Sequence, residues 1–274
     1  MIERILSPQN QYVKLAMGLK QKKKRESTGL FIAEGLRLAE EAIASGWRIP
    51  VCLFTREAYL HERGRQVIEQ LQADTSCKVM QVSDSIYSKV TDTDQPQGLM
   101  VLVGKKRYQF DDVILNKQNP LILVLDGLQD PGNVGTIIRT ADAAGCSGVL
   151  MTKGSADLFS GKTVRAGMGS IFHLPIIEGL GCGELVALLS EYHIPLMATA
   201  LTDSEIYFSS DLTMPVAVVF GNEGNGVQKE LLQRAKVKLH IPILGKAESL
   251  NVAAAASVIL YEAVRQRLLQ PCVS

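Results

Sequence analysis

Short apolar runs alternate along this chain with segments in which apolar positions recur every three or four residues. In "PLILVLDGL" five consecutive apolar residues lie between Pro120 and Asp126, which predicts a strand covered on both faces, as in a parallel sheet. The helix-like "NVGTIIRTADAAG" follows, then the strand "GVLMT" and the helical candidates "GKTVRAGMG" and "GELVALLSEY". The strands "PLMATA" and "PVAVVFG", the helix "VQKELLQRA", the strand "KLHIPI" and a long helix from about Asn251 to Leu269 complete the series. This alternation predicts an open α/β sheet with helices on both faces, whose ligands sit beyond the carboxyl ends of the strands.

The first part of the chain has a different, more mixed pattern. "NQYVKLAMGLKQKKKR" places Val13, Leu15 or Ala16, and Leu19 at helical intervals and then turns basic. "GLFIAEG", "PVCLFT", "CKVMQVS" and "PQGLMVLVG" read as strands. "LRLAEEAIASG" aligns Leu36, Ala39, Ala42 and Ile43 on one helical face and stops at Gly46, and "YLHERGRQVIEQLQA" reads as a helix despite Gly64. Two domains are expected, a small αβα unit over residues 1–110 and a larger α/β unit over 111–274.

Composition narrows the class. With 274 residues, 46% apolar and 21% charged, the chain can bury substantial cores and is unlike a disordered or fibrous protein. It shows no internal repeat and no apolar run near the roughly 18 residues of a membrane span. The opening "MIERILSPQNQYVK" lacks the apolar middle of a secretory signal, which sets the expectation of a cytoplasmic address. Cys52, Cys77, Cys146, Cys182 and Cys272 form an odd set without CxxC spacing, so free thiols and no metal centre are expected. The net charge of +1 hides an asymmetry: residues 1–110 carry 17 Lys and Arg against 12 Asp and Glu, a balance of +5, and the remainder carries 12 against 16, or −4. Lys20, Lys22, Lys23, Lys24 and Arg25 supply much of the excess, as a phosphate-binding edge or as a solvated helix end.

Glycines mark the chemistry. "GLGCGE" over 179–184 resembles a dinucleotide fingerprint but has Glu184 in place of the third glycine and only the short "LPII" before it; it reads as a loop before a helix. Three other corners each follow a predicted strand. The first is "LDGLQDPGNVG", where Asn133 is a candidate helix cap and Arg139 has Asp142 as a candidate ion-pair partner. The second is "VVFGNEGNGV", whose Gly221, Gly224 and Gly226 suggest close approach of backbone to a ligand, with Glu223 free to take a partner. The third is "IPILGKAESLNVAAAAS", with Ser249 and Asn251 at the mouth of an alanine-rich helix. All three lie in one domain and can converge on one site.

These blocks resemble the SpoU/TrmH-type RNA ribose 2′-O-methyltransferases, a branch of the knotted SPOUT superfamily. The similarity runs from about residue 120 to 267 through "DPGNVGTIIRTADAAG", "VVFGNEGNGV" and "IPILGKAESLNVAAAASVILYEAVRQR". "SPQNQYVKLAMGLKQKKKR", "FIAEGLRLAEEAI" and "DQPQGLMVLV" resemble the L30e-like substrate-binding domain that precedes it in many members. The resemblance implies a mostly parallel sheet closed by a deep trefoil knot, a homodimer, and S-adenosylmethionine bound against the knotted loops. Carried onto this sequence, the cofactor site uses Thr199, Ala200, Gly221, Asn222, Ile241, Leu250 and Asn251, and catalysis and its support use Asn133, Arg139, Glu223, Ser249 and Asn251. Arg165 in "RAGMGSIFHLP" matches an arginine often found beside the active site and joins Lys22, Lys23, Lys24 and Arg25 as a candidate RNA contact. Ala253 and Ser170 depart from the family's usual serine and alanine, both being small replacements.

The implied reaction places a ribose 2′-hydroxyl in line with a sulfonium methyl group. Arginine side chains hold their proton to above about pH 12, so stabilisation of a developing alkoxide suits Arg139 better than a role as base. Ribosomal RNA, 23S in particular, is the expected substrate. The alternatives are transfer RNA, methylation of a base, and a catalytically silent RNA-binding protein.

Overall fold

The computed structural model describes residues 2–115 and 118–269, so Cys272 lies outside the described residues. The chain divides into two compact units, residues 2–106 with Phe159–Phe172, and residues 107–158 with 173–269. The first unit holds a five-stranded mixed sheet of β1 (Glu3–Ile5), β2 (Leu30–Glu34), β3 (Val51–Phe54), β4 (Lys78–Val82) and β5 (Leu99–Gly104), in the order β1-β4-β3-β5-β2. Helix Gln11–Leu19 is capped by Asn10, whose side chain accepts from the Tyr12 N–H at 2.8 Å, and it buries Val13, Ala16 and Leu19 as its spacing predicts. A second helix, Lys22–Thr28, leaves Lys22, Lys23 and Lys24 exposed, with Lys22 only 3.8 Å from Glu26.

Arg25 is different and corrects its grouping with those lysines. It is 5% exposed, and its Nη1 donates to the carbonyls of Leu19 at 2.7 Å and Lys20 at 2.9 Å. The last carbonyls of a helix need donors, so this guanidinium is drawn inward as a structural group.

The predicted long helix after β3 is two helices, Arg56–Leu60 and Glu62–Ala73, broken at an extended His61. A Cβ at Gly64 would lie 2.0 Å from the Ala58 carbonyl oxygen, so glycine is what lets the second helix pack against the first. β1 and the helix Asp84–Val90, capped by Ser83, were too short to read from periodicity. The segment Phe159–Phe172, expected within 111–274, packs in the first unit: the Phe31 ring lies 4.8 Å from that of Phe159, and Trp47 Nε1 donates to the Phe172 carbonyl at 3.3 Å.

In the second unit seven strands are joined by parallel pairings: β6 (Leu121–Asp126), β7 (Gly148–Thr152), β8 (Ile176–Leu180), β9 (Leu196–Thr199), β10 (Glu205–Ile206), β11 (Val216–Gly221) and β12 (Val237–His240). Their order, β10-β12-β9-β11-β6-β7-β8, is consistent with a knotted α/β sheet. Ile122 and Val124 of β6 pack with Ala217, Val219, Leu150 and Leu185 on one face of the sheet. Helices Pro131–Ala143 and Val252–Leu269 pack on each other, and the last helix also meets β11. Ala253, Ala256, Leu260 and Ala263 are buried along one stripe of that last helix, where small side chains allow close approach. "GLGCGE" is not the expected loop: Gly179 and Leu180 end β8, Gly181 alone separates it from the helix Cys182–Glu191, and Glu184 accepts from the Gly181 N–H at 3.2 Å.

Gly64→Ala is expected to destabilise the protein by about 1–3 kcal/mol, because the new methyl overpacks a backbone contact. An unchanged urea midpoint would show that the two helices can separate freely.

Candidate functional site

β6 and β11 pair in register along their whole length, from Leu121↔Val216 to Asp126↔Gly221. Their carboxyl ends therefore emerge side by side, and β6 is also where the strand order reverses, since β7 and β8 extend to one side and β9 to β12 to the other. That is the position at which open α/β sheets bind ligands.

The two loops leaving this edge are tied together. Asn222 Nδ2 donates to the Gly127 carbonyl at 2.8 Å, while Asn222 Oδ1 accepts from the N–H groups of Gly224 and Asn225, both at 3.0 Å. The loop then folds back through paired backbone bonds between Asn222 and Gly226. A Cβ at Gly221 would come within 2.1 Å of Gly226 C and Val227 N, and Gly226 has φ +68°. Closure of the loop on itself thus by itself requires glycine at Gly221 and Gly226. A bulky residue at Gly221 would disrupt the loop before it reached any ligand.

Glu223 projects from this loop to the start of helix Pro131–Ala143. Its carboxylate accepts from the Gln129 N–H at 3.3 Å, the Asp130 N–H at 3.4 Å and Asn133 Nδ2 at 3.1 Å. The helix cap is Asp130, whose side chain accepts from the Asn133 N–H at 2.8 Å, with Pro131 at the first helical position. Asn133 is therefore inside the first turn, not its cap, and its side chain is left for the site. Asn133 Oδ1 accepts from Asn251 Nδ2 at 3.2 Å, and Asn251 Oδ1 accepts from the Ala253 N–H at 2.9 Å, so Asn251 also starts the final helix. The polarity of this relay is dictated at both ends: a carboxylate can only accept and a backbone N–H can only donate, so each amide has one workable orientation.

Burial pushes the Glu223 carboxyl up, but the Asn133 amide and the backbone N–H groups of Glu223, Gln129 and Asp130 favour the charged form and hold it below the usual carboxylate value. Ser249 is exposed and outside the relay. Arg139 is exposed on the same helix as Asn133 and has no hydrogen-bond or ion-pair partner among the described residues. Its expected partner Asp142 instead meets His173 Nδ1 at 2.8 Å.

The next strand end adds Thr199, whose hydroxyl donates to the Val219 carbonyl at 3.1 Å, and Ala200, whose N–H donates to the Leu239 carbonyl at 2.9 Å. Ile241 is half-buried after β12 and Leu250 is exposed just before Asn251. Arg165 lies in the first unit, lining a recess with Lys20, Glu34, Asp92 and Phe159. In the sequence Asp126 stands out only as the boundary of an apolar run: it is 1% exposed at the end of β6, and an acid closing an otherwise apolar strand is the signal that could have marked it for the site.

Residues 120–261 match the SpoU rRNA Methylase family, and residues 10–101 match the MRM3-like substrate binding domain. The chain is 34% identical over 260 residues, 95% of its length and 98% of the relative's, to the 23S rRNA (guanosine(2553)-2′-O)-methyltransferase RlmP of Bacillus subtilis. Among solved structures, the AdoMet-bound rRNA methyltransferase from Sinorhizobium meliloti superposes with a TM-score of 0.86 at 35% identity, covering 96% of this chain and 98% of that one. The SpoU methyltransferase AviRb from Streptomyces viridochromogenes, in complex with AdoMet, gives 0.84 at 28% identity, with 94% and 99% covered. The chain belongs to the SpoU rRNA methylase family and carries the substrate-binding domain in front of the methylase domain.

Because the Glu223 pKa is depressed by folding, its stabilising contribution is present above the ordinary glutamate value and is lost as pH falls through the folded one. Lowering pH from about 6 to about 3.5, across the usual glutamate range, is expected to reduce the thermal midpoint of the wild type more than that of Glu223→Gln. Parallel falls would mean that the relay does not favour the charged carboxylate.

Proposed function

We propose that this chain transfers a methyl group from S-adenosylmethionine to a ribose 2′-hydroxyl of RNA, that its substrate is 23S ribosomal RNA, and that it works as a cytoplasmic homodimer with the loop after β12 threaded in a trefoil knot. The observation that carries the reading is the relay from Glu223 through Asn133 to Asn251, which draws three strand-end corners into one site in a chain of this family. The 23S substrate is supported by the relatives from Bacillus subtilis and Streptomyces viridochromogenes, both named as 23S rRNA 2′-O-methyltransferases, and by the matched substrate-binding domain.

The loops suit the cofactor. Residues 241–250 enter none of the backbone–backbone hydrogen bonds found among the described residues outside regular elements, so their N–H and C=O groups are available to an adenosine. Leu201, Leu244 and Leu250 are 73%, 97% and 40% exposed on the same loops, apolar surface that a purine and a methionine chain would cover. Val258, Tyr261 and Leu268 are exposed on the last helix and supply apolar surface for a second copy.

When bound, the cofactor supplies a methyl group already activated on a sulfonium. The protein's part is to orient the hydroxyl and to stabilise charge as its proton leaves. Arg139 fits that part: its guanidinium is exposed and unpaired among the described residues, and a planar fork of donors can meet an alkoxide and a phosphate together.

The reading is tested by ribose-methylation mapping of RNA from cells lacking the protein and from cells complemented with it, beside S-adenosylmethionine titration of the purified protein. A missing 2′-O-methyl group restored by wild type is expected, and an unchanged map with no cofactor binding would overturn it. Arg139→Ala should slow single-turnover methyl transfer by at least about a hundredfold with little change in cofactor or RNA affinity, and Lys should restore little. A near-wild-type rate would remove Arg139 from the reaction. Changing Lys22, Lys23 and Lys24 to Glu should weaken RNA binding and flatten its salt dependence while leaving cofactor affinity alone. Equal RNA affinities across a salt series would return these lysines to plain solvated surface.

A further inference from the structure

We propose that Asp126 is the positioning residue of the site, clasping the loop after β6 to the loop after β11 and thereby setting Glu223 against Asn133. Three donors converge on this buried carboxylate. Oδ1 accepts from the Thr152 hydroxyl at 2.8 Å and from Gln228 Nε2 at 2.6 Å, and Oδ2 accepts from the Gln228 N–H at 2.7 Å. The three bonds hold two different pieces of chain. Gln228 ends the glycine loop and starts the helix Lys229–Arg234, and Thr152 ends β7.

The hold passes on to the site in two short steps. The Thr152 hydroxyl oxygen, oriented by donating to Asp126, accepts the Gly127 N–H at 3.0 Å, and the Gly127 carbonyl accepts from Asn222 Nδ2. Asp126 therefore fixes both ends of the loop 222–228, at Gln228 directly and at Asn222 through Thr152 and Gly127. It also fixes the start of the segment whose Gln129 and Asp130 N–H groups meet Glu223. An ordinary strand end needs no buried acid, and an apolar residue here would remove the shared acceptor of the Gln228 N–H and the Thr152 hydroxyl and so untie the two loops. Asp126 itself is too deeply buried to touch a substrate.

The polarity of the clasp can be reversed without changing its charge. In Asp126→Asn one oxygen becomes an NH₂ group, which opposes the Gln228 amide and the Thr152 hydroxyl in their present donating orientations. Adding Gln228→Glu supplies a carboxylate for that NH₂, leaves the remaining oxygen for the residue 228 N–H, and lets the Thr152 proton turn to the Lys153 carbonyl, 3.5 Å away. Asp126→Asn is expected to accelerate hydrogen exchange at the Gln129, Asp130 and Gln228 amides by about tenfold or more. On the proposed methyl transfer, it should lower kcat by about tenfold to a hundredfold, the size of effect produced by a misplacement near 1 Å, while the KM values for cofactor and RNA change less than about threefold. Asp126→Asn/Gln228→Glu should recover most of both effects.

Unchanged amide exchange in folded Asp126→Asn, or a double variant no better than the single one, would overturn the positioning role. If the single variant fails to fold, the double variant decides, and its failure to fold as well would make Asp126 a folding group only. The exchange measurement stands even if wild type methylates no RNA, so failure of the functional reading and failure of this one are distinguishable.

Discussion

The pairing of β6 with β11 is the constraint from which the site follows. Both strands are buried along their whole length and run parallel, so neither can slip by one residue without turning Ile122 and Val124 out of the core they share with Ala217 and Val219. That hydrophobic register is indifferent to chemistry, yet it delivers Asp126 and Gly221 to the same level at one edge of the sheet. Loops more than ninety residues apart in sequence are thereby made neighbours, and the bonds between Glu223 and Asn133 or between Asn222 and Gly127 need only short reaches.

At that edge the problem changes from apolar packing to polar satisfaction. Two loops leaving a buried sheet expose backbone donors and acceptors that must find partners. Asn222 serves both loops, one with each end of its amide, Asp130 caps the helix, and Glu223 gathers two backbone N–H groups from the opposite loop. The glycines belong to this solution: Gly221 lets the loop return on itself and Gly226 takes the left-handed turn. Rigidity of the corner comes from bonds internal to the protein.

This division explains what could be read in advance. Buried strands such as β6 and β11 were legible because a parallel sheet demands unbroken apolar runs, and the convergence of three glycine-rich corners was legible because each follows such a run. The two-residue strand β10 and the three-residue β1 were not, since neither carries a periodicity. Arg25 was misread because a basic run looks uniform in sequence, whereas only its last member reaches the carbonyls closing the preceding helix. Asn133 was misread as a cap because Asp130, three residues earlier, suits the task equally well on composition and also precedes the proline. The packing of Phe159–Phe172 rests on rings from distant segments, which no local pattern announces.

The residues assigned to the site by resemblance therefore fall into two physical kinds. Glu223, Asn133 and Asn251 are bonded to one another and to backbone, so each can offer a substrate its remaining lone pairs or N–H only in its present orientation, since turning would cost a bond that holds the corner together. Arg139 and Ser249 are exposed and have no partners among the described residues, so they can turn to an incoming RNA at no such cost. In the proposed reaction the first group shapes the place where the ribose lies, and the second supplies the contacts made to it. For Arg139 the contrast is sharpened by its neighbour: Asp142, on the same helix, bonds His173 instead, which leaves the guanidinium's donors open, in the proposed reaction, to the negative charge that a phosphate brings and a departing proton creates.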